Sequence, residues 1–215
     1  MKKIEACLFD LDGVLVDTAK YHYLAWKKLA NELGFQFTEE NNERLKGVSR
    51  MKSLEILLEI GGENLDDNTK IALAEKKNNW YVEYISKMDE SEILPGVKEF
   101  LIAVRKAGIK TCLGSVSKNA MTILKRINLI EYFDGIIDGN MVTNAKPDPE
   151  VFVKGTEILG VTAENCVVFE DAIAGIEAAH RAHMYAVGVG SPKTLKEANK
   201  VISGFENINL DILRF

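Results

Sequence analysis

The stretch that most constrains this chain is Ile4-Glu-Ala-Cys-Leu-Phe-Asp-Leu-Asp-Gly-Val-Leu-Val-Asp-Thr18. Its apolar part, closing on Leu8 and Phe9, is short enough to be a buried strand. Asp10 and Asp12 follow with one leucine between them, and Gly13 lets the backbone turn sharply. Residues i and i+2 of an extended segment point to the same side. Both carboxylates therefore emerge together at the strand's C-terminal end, where open α/β sheets hold their ligands. Two acids so close repel unless a cation or a shared proton relieves them. A divalent metal on Asp10 would leave that carboxylate a nucleophile toward phosphorus, with Asp12 carrying protons to and from the other oxygen. The alternative is a surface Asp-x-Asp-Gly turn. The apolar strand before the pair and Gly-Val-x-x-Asp-Thr after it favour the chemical reading.

Composition bounds what surrounds that pair. A chain of 215 residues, 47% of them hydrophobic, buries a substantial core as one large domain or two small ones. A formal charge of −5 argues against nucleic acid or an anionic membrane as the main partner, while allowing a local basic pocket. No apolar run is long enough to span a bilayer and the start lacks a signal-peptide plan, so the expected location is cytoplasmic. Cys7, Cys112 and Cys166 are far apart and each falls inside a predicted strand. They fit buried reduced thiols better than disulfides or a metal site.

Thr18 to Leu33 reads as an amphipathic helix stopped by Gly34, with His22, Ala25, Trp26, Leu29, Ala30 and Leu33 on one stripe. His22 suits either a structural role on that stripe or a place beside the aspartate loop. Leu45-Lys-Gly-Val-Ser-Arg50 suggests a tight turn, with Ser49 or Ser53 near the next helix start. Taken alone, Arg50 is a solvated cation by default. A long helix is expected over residues 66–85, where Lys77 and Asn78 interrupt an apolar stripe. They would either snorkel to the edge or face a ligand.

From Leu94-Pro-Gly96 helix and strand alternate. Val97 to Val104 marks a helix, Ile109 to Leu113 a strand, and Gly-Ser-Val-Ser-Lys-Asn119 opens the following helix. A hydroxyl at a strand's end before a helix N-terminus offers an anion site, though Ser117 also suits an N-cap. Ala-Lys-Pro-Asp-Pro149 holds Lys146 in a stiff loop, placed to neutralise phosphate charge. Cys166 to Phe169 reads as a strand ending in Glu170-Asp171. These acids suit a helix start, or, set beside Asp10, an all-oxygen magnesium-like shell. Met184 to Val189 reads as the last core strand; the tail after Ser191 carries no clear pattern.

The opening motif resembles the nucleophile motif of the haloacid dehalogenase-like superfamily. Nearly the whole chain, to about Gly190, further resembles the β-phosphoglucomutase family within it. Asp17-Thr-Ala-Lys-Tyr-His22, Ala25-Trp26-Lys27, Leu45-Lys-Gly-Val-Ser-Arg50, Leu73-Ala-Glu-Lys-Lys-Asn78, Ser115-Val-Ser-Lys-Asn119 and Glu170-Asp171 carry that closer likeness. Met51-Lys52, where the family carries acidic residues, and the bulky Val116 depart from it.

The resemblance implies a Rossmann-like parallel sheet flanked by helices, an α/β catalytic core over 1–15 and 91–215, and an inserted helical cap over 16–90. It implies Asp10 as nucleophile and Asp12 as general acid/base, with magnesium held by Asp10, the Asp12 carbonyl, Glu170 and Asp171. Ser115 and Lys146 would bind the transferred phosphoryl group. Arg50, Ser117, Lys118 and Asn119 would bind the sugar phosphate, with Gly47, Val48, Ser49, His22, Trp26, Lys77 and Asn78, while Thr18 would serve as hinge. The implied reaction converts β-D-glucose 1-phosphate to D-glucose 6-phosphate, with glucose 1,6-bisphosphate as activator and intermediate. The expected partners are small sugar phosphates, not nucleic acid or membrane, met by a monomer. A sugar-phosphate phosphatase on the same scaffold is the other enzymatic reading. A silent binding protein would be expected to lack one of the core carboxylates.

Overall fold

The computed structural model describes residues 3–45 and 48–215. Those residues form two compact units: residues up to 17 together with 89–215, and residues 18–88. The divisions fall at Asp17/Thr18 and Met88/Asp89, against the 15/16 and 90/91 of the sequence reading. Gly47 and its neighbour Lys46 lie outside the described residues.

The larger unit is built on β1 (Ala6–Phe9), α5 (Val97–Lys106), β2 (Lys110–Gly114), α6 (Ala120–Arg126), β3 (Gly135–Ile137), α7 (Glu150–Leu159), β4 (Cys166–Glu170), α8 (Ile173–Arg181), β5 (Tyr185–Val189) and β6 (Lys200–Ile202). The strands make one parallel sheet in the order β3-β2-β1-β4-β5-β6, the Rossmann-like fold that was expected. All four residues of β1 are buried, because helices cover both faces of such a sheet and leave no polar side. Ala6, Leu8, Cys112 and Val168 pack with Phe152 of α7 and Ile176 of α8 in one buried cluster. Phe9 stacks on Phe169 at 4.9 Å and meets Phe100 of α5 and Phe205 edge-on or tilted. The topology changes direction at β1: β2 and β3 extend to one side, β4 to β6 to the other. The crevice outside the ends of β1 and β4 is therefore the ligand position of an open α/β sheet.

Cys7, Cys112 and Cys166 are free and buried, in β1, β2 and β4, as their strand positions suggested. Burial pushes the Cys112 and Cys166 thiols up to about 12 and raises Cys7 as well, so none presents a thiolate.

The smaller unit contains α1 (Ala19–Glu32), α2 (Glu39–Glu43), α3 (Arg50–Gly61) and α4 (Asp67–Ile85). Its core joins Trp26, Leu29 and Ala30 of α1 to Leu54, Leu57 and Leu58 of α3 and Ala74 of α4. Capping fixes the helix starts: Thr38 forms a capping box with Asn41, Ser49 accepts from Lys52 N–H and Asp66 from Thr69 N–H. No helix among the described residues is long and apolar enough to cross a membrane.

Phe169 joins the central strands to α5 and to the C-terminal segment, because its ring touches Phe9, Phe100 and Phe205. Phe169→Ala is expected to cost about 3–5 kcal/mol, read as a lower urea midpoint at unchanged slope.

Candidate active site

Asp10 directly follows β1, and its N–H donates to the Phe169 carbonyl at 3.0 Å, extending the β1–β4 pairing by one residue. The chain then coils tightly: Leu15 and Val16 N–H groups return to the Leu11 carbonyl at 2.9 and 3.2 Å, and Gly13 N–H donates to the Val16 carbonyl at 2.8 Å. Gly13 has φ +81°, and a Cβ there would lie 2.2 Å from Asp171 Oδ2. A side chain is excluded on both counts. Asp12, half-buried, lies in this turn, bridged to Val16.

Asp10, Glu170 and Asp171 each offer an oxygen within 4.8 Å of the others. Asp10 and Glu170 are buried. Lys146 enters from the loop before α7, through a cis Lys146–Pro147 bond, and donates to Asp10 Oδ1 at 2.6 Å and Glu170 Oε2 at 2.8 Å. Burial alone would lower the Lys146 pKa, but attraction to Asp10 and Glu170 outweighs it and holds the ammonium charged. Burial raises the Glu170 carboxyl; Lys146 opposes this, and Asp10 and Asp171 add to it. If all three acids are ionised, they exceed Lys146 by two negative charges, which suits a divalent cation. Carboxylate oxygens and no softer atoms form the set, which selects a hard ion such as magnesium.

Ser115 follows β2. Its N–H donates to the Ile137 carbonyl at 3.0 Å, and its buried hydroxyl accepts from Ser117 N–H at 3.1 Å. Ser117 is not the N-cap. That place belongs to Asn119, whose N–H donates to Ser117 Oγ at 3.3 Å, because the loop spends two more residues turning before α6 begins. Lys118 is exposed, and its carbonyl accepts from Asn140 Nδ2 at 3.1 Å. The bulky Val116 turns its carbonyl onto Gly139, where a Cβ would come within 2.1 Å.

In the smaller unit a second polar group assembles. Lys77, 2% exposed, does not snorkel: its Nζ lies 2.8 Å from His22 Nδ1 and over the Trp26 and Tyr81 rings at 4.4 and 4.8 Å. A protonated ammonium can only donate, so His22 Nδ1 accepts and its remaining proton sits on Nε2. The Tyr81 ring stacks on His22 at 4.0 Å. Burial, then the charges of Lys77 and Arg50, hold His22 well below its ordinary value. Arg50, half-buried at the start of α3, has its own value lowered by burial, with Glu75 and Tyr81 opposing. Trp26 lies within the unit's core at 2% exposure and presents its ring to Lys77 rather than to solvent. Thr18 is buried just before α1, and Asn78 is half-buried on α4. Val48 is half-buried; the Ser49 hydroxyl is engaged in capping α3. Met51 is exposed, and Lys52 pairs with Glu55 at 3.1 Å on the surface.

Three ties escaped the sequence reading: the double pairing of Lys146, the His22–Lys77 contact and the bonds made by Glu150. The first two join residues remote in sequence, which no local spacing signals. Glu150 lies four residues beyond Lys146, and its only local signal is an acid in a helix's first turn.

A family model for haloacid dehalogenase-like hydrolase matches residues 4–183. The chain is 40% identical to β-phosphoglucomutase of Bacillus subtilis over 98% of its length and 94% of the relative's. It is 35% identical to phosphorylated carbohydrates phosphatase of Thermotoga maritima, over 92% of this chain and 93% of that one. The crystal structure of β-phosphoglucomutase from Clostridium difficile superposes with a TM-score of 0.92 at 43% identity, covering 98% of this chain and 95% of that one.

The neutral His22 carries a pH dependence. Its ordinary value is 6.5, and the folded value is lower. Below pH 6.5 the unfolded chain takes up a proton that the folded chain refuses. The stability owed to neutral His22 is thus complete above that pH and lost as pH falls below it. Between about pH 7.5 and about pH 5.5, wild type should lose about 1.4 kcal/mol more than His22→Gln. Urea unfolding of both proteins at both pH values measures the difference, and equal losses would mean His22 takes up its proton as readily folded as unfolded.

Proposed function

The chain belongs to the haloacid dehalogenase-like hydrolase family, and from that membership we propose that it is a magnesium-dependent phosphosugar mutase converting β-D-glucose 1-phosphate to D-glucose 6-phosphate. The observation that carries the phosphoryl-transfer part is the buried Asp10–Lys146–Glu170 group with Asp171 beside it, at the switch point of the sheet. The 40% identical Bacillus subtilis β-phosphoglucomutase and the 43% identical Clostridium difficile structure support the choice of sugar phosphate.

In this reading residues 18–88 act as a cap and the larger unit as the catalytic core. Asp10 would hold magnesium together with Asp171, Glu170 and the Asp12 carbonyl, and the ion would neutralise charge on the phosphoryl oxygens. Asp10 carries the phosphoryl group as an aspartyl phosphate. Asp12 takes the proton from the sugar 6-hydroxyl as its oxygen attacks phosphorus and the bond to Asp10 breaks. The glucose 1,6-bisphosphate so formed turns round, and Asp10 attacks the phosphorus on O1. Asp12 returns a proton to O1 as that bond breaks, releasing glucose 6-phosphate and the phosphorylated enzyme. Lys146 and Ser115 hold the moving group. Arg50, with Ser117, Lys118 and Asn119, holds the other phosphate, since a guanidinium fork grips phosphate oxygens in pairs. His22, Lys77, Asn78 and Thr18 serve closure and positioning, which keep water from the aspartyl phosphate. Three buried free thiols suit a reducing cytoplasm.

A sugar-phosphate phosphatase is the second reading, favoured by the 35% identical Thermotoga maritima phosphatase and by Met51-Lys52. One assay decides: magnesium, β-glucose 1-phosphate and a trace of the 1,6-bisphosphate, following glucose 6-phosphate and free phosphate together. The mutase yields the first in large excess; phosphate released in step with substrate loss would overturn it.

Two variants test the parts. Asp171→Ala should weaken magnesium binding and activity together, with partial recovery at high magnesium; an unchanged magnesium dependence at full activity would place the metal elsewhere, and full activity in chelator would overturn the metal requirement. Arg50→Ala should slow mutase turnover by about 10- to 100-fold, equivalent to about 1.5–3 kcal/mol for a charged hydrogen bond. Acetyl phosphate hydrolysis, which needs no second phosphate site, should lose far less. Equal losses with the two substrates would count against the role given to Arg50.

A further inference from the structure

Lys146 lies in a loop between Ile137, the end of β3, and Glu150, the start of α7. Its ammonium nonetheless sits within hydrogen-bond distance of two buried carboxylates, so the loop must be held. The first turns of α7 hold it. Glu150 accepts Thr143 N–H on both oxygens, at 3.1 and 3.0 Å, and Asn144 N–H on Oε2 at 2.7 Å. Lys154, one turn on, donates to Glu150 Oε1 at 2.7 Å and to the Met141 carbonyl at 2.6 Å. Asp148 Oδ1 accepts the N–H of Glu150 itself at 3.0 Å, closing the other arm of the loop. Lys154, then the Asn144 amide, draw the Glu150 carboxyl down to about 2, so it is an anion near neutral pH.

A surface i,i+4 ion pair alone contributes little, and an acid in a first turn suits the helix dipole. Neither purpose requires one carboxylate to gather two loop amides while its partner takes a carbonyl from the same loop. That pattern fixes residues 141, 143 and 144 just ahead of Lys146.

We propose that Glu150, locked by Lys154, is a positioning residue that sets where Lys146 presents its ammonium to the transferred phosphoryl group. The inference rests on the phosphoryl-transfer reading of Asp10 and Lys146.

The test follows phosphoenzyme formation from acetyl phosphate with magnesium in wild type, Lys146→Ala, Glu150→Ala, Glu150→Gln and Lys154→Met. Alongside, an amine-acylating reagent is applied and labelling of Lys146 is read by peptide mass spectrometry; a buried, held ammonium labels slowly. Glu150→Ala should lose about 10- to 100-fold in rate, the scale of loss for an ångström of misplacement. It should also label faster at Lys146 while remaining folded by circular dichroism. Glu150→Gln keeps the chain length and an acceptor oxygen and should recover most of both. Lys154→Met should fall between, and it carries the test by the same two readouts if Glu150→Ala does not fold.

A lower melting temperature with wild-type rate and wild-type labelling in the folded variants would overturn the proposal, leaving Glu150 merely structural. If Lys146→Ala transfers at the wild-type rate, the phosphoryl-transfer reading fails and the proposal with it. If Lys146→Ala is slow while the Glu150 and Lys154 variants are not, the positioning proposal fails alone.

Discussion

The ammonium of Lys146 between Asp10 and Glu170 is the interaction on which the larger unit's chemistry depends. Two carboxylates buried side by side would each resist ionisation, and a buried lysine alone would shed its proton. The two acids keep the Lys146 ammonium charged against its burial, while burial still pushes the Glu170 carboxyl up to about 8. The arrangement joins the end of β1, the end of β4 and the loop before α7, so electrostatics at the site are set by the packing of three distant segments. An isolated buried ion pair is weak evidence of stability, because desolvation offsets its attraction. Beneath it Phe9 and Phe169, which precede Asp10 and Glu170 on paired strands, stack at 4.9 Å.

The smaller unit shows the same economy of charge with the opposite sign. Burial, aided by the charges of Lys77 and Arg50, keeps His22 neutral, and the histidine serves Lys77 as an acceptor. Lys77 is buried against Trp26 and Tyr81 while Arg50 is half-buried, and the carboxylates of the larger unit suit a cation.

Much of this was legible in the sequence wherever local pattern carried the information. The strand before Asp10, the stripes of α1 and α4, and the acids closing β4 all follow from periodicity and short-range turn chemistry. The edge strands β3 and β6, three residues each, were missed because such lengths show no period. The short α2 was missed because Glu-Glu-Asn-Asn-Glu has no apolar stripe; its capping box starts it instead. Ser117 suits a cap by its position, yet the loop turns further and Asn119 takes that place. Lys77 was recognised as an interruption of an apolar face, but its partner on α1 is a tertiary fact. Lys146 was read as a phosphate ligand from its stiff loop, whereas its two carboxylate partners emerge only when β1 and β4 pair.

The position of the insertion has a consequence for the order of assembly. The chain leaves the larger unit after Asp17 and re-enters at Asp89; just inside those ends Val16 and Ile93 are bridged, with Leu94 N–H donating to the Leu15 carbonyl at 2.9 Å. The central strand is therefore the first written and among the last completed: Ala6 pairs with Lys110 on one side and Cys166 on the other. During vectorial synthesis β1 emerges with neither neighbour made, while α1 to α4 are finished before β2 exists. Once those helices are compact, the long excursion between Val16 and Ile93 shrinks to a short closure. The search that brings β1 to its partners then costs far less entropy than its separation along the chain implies.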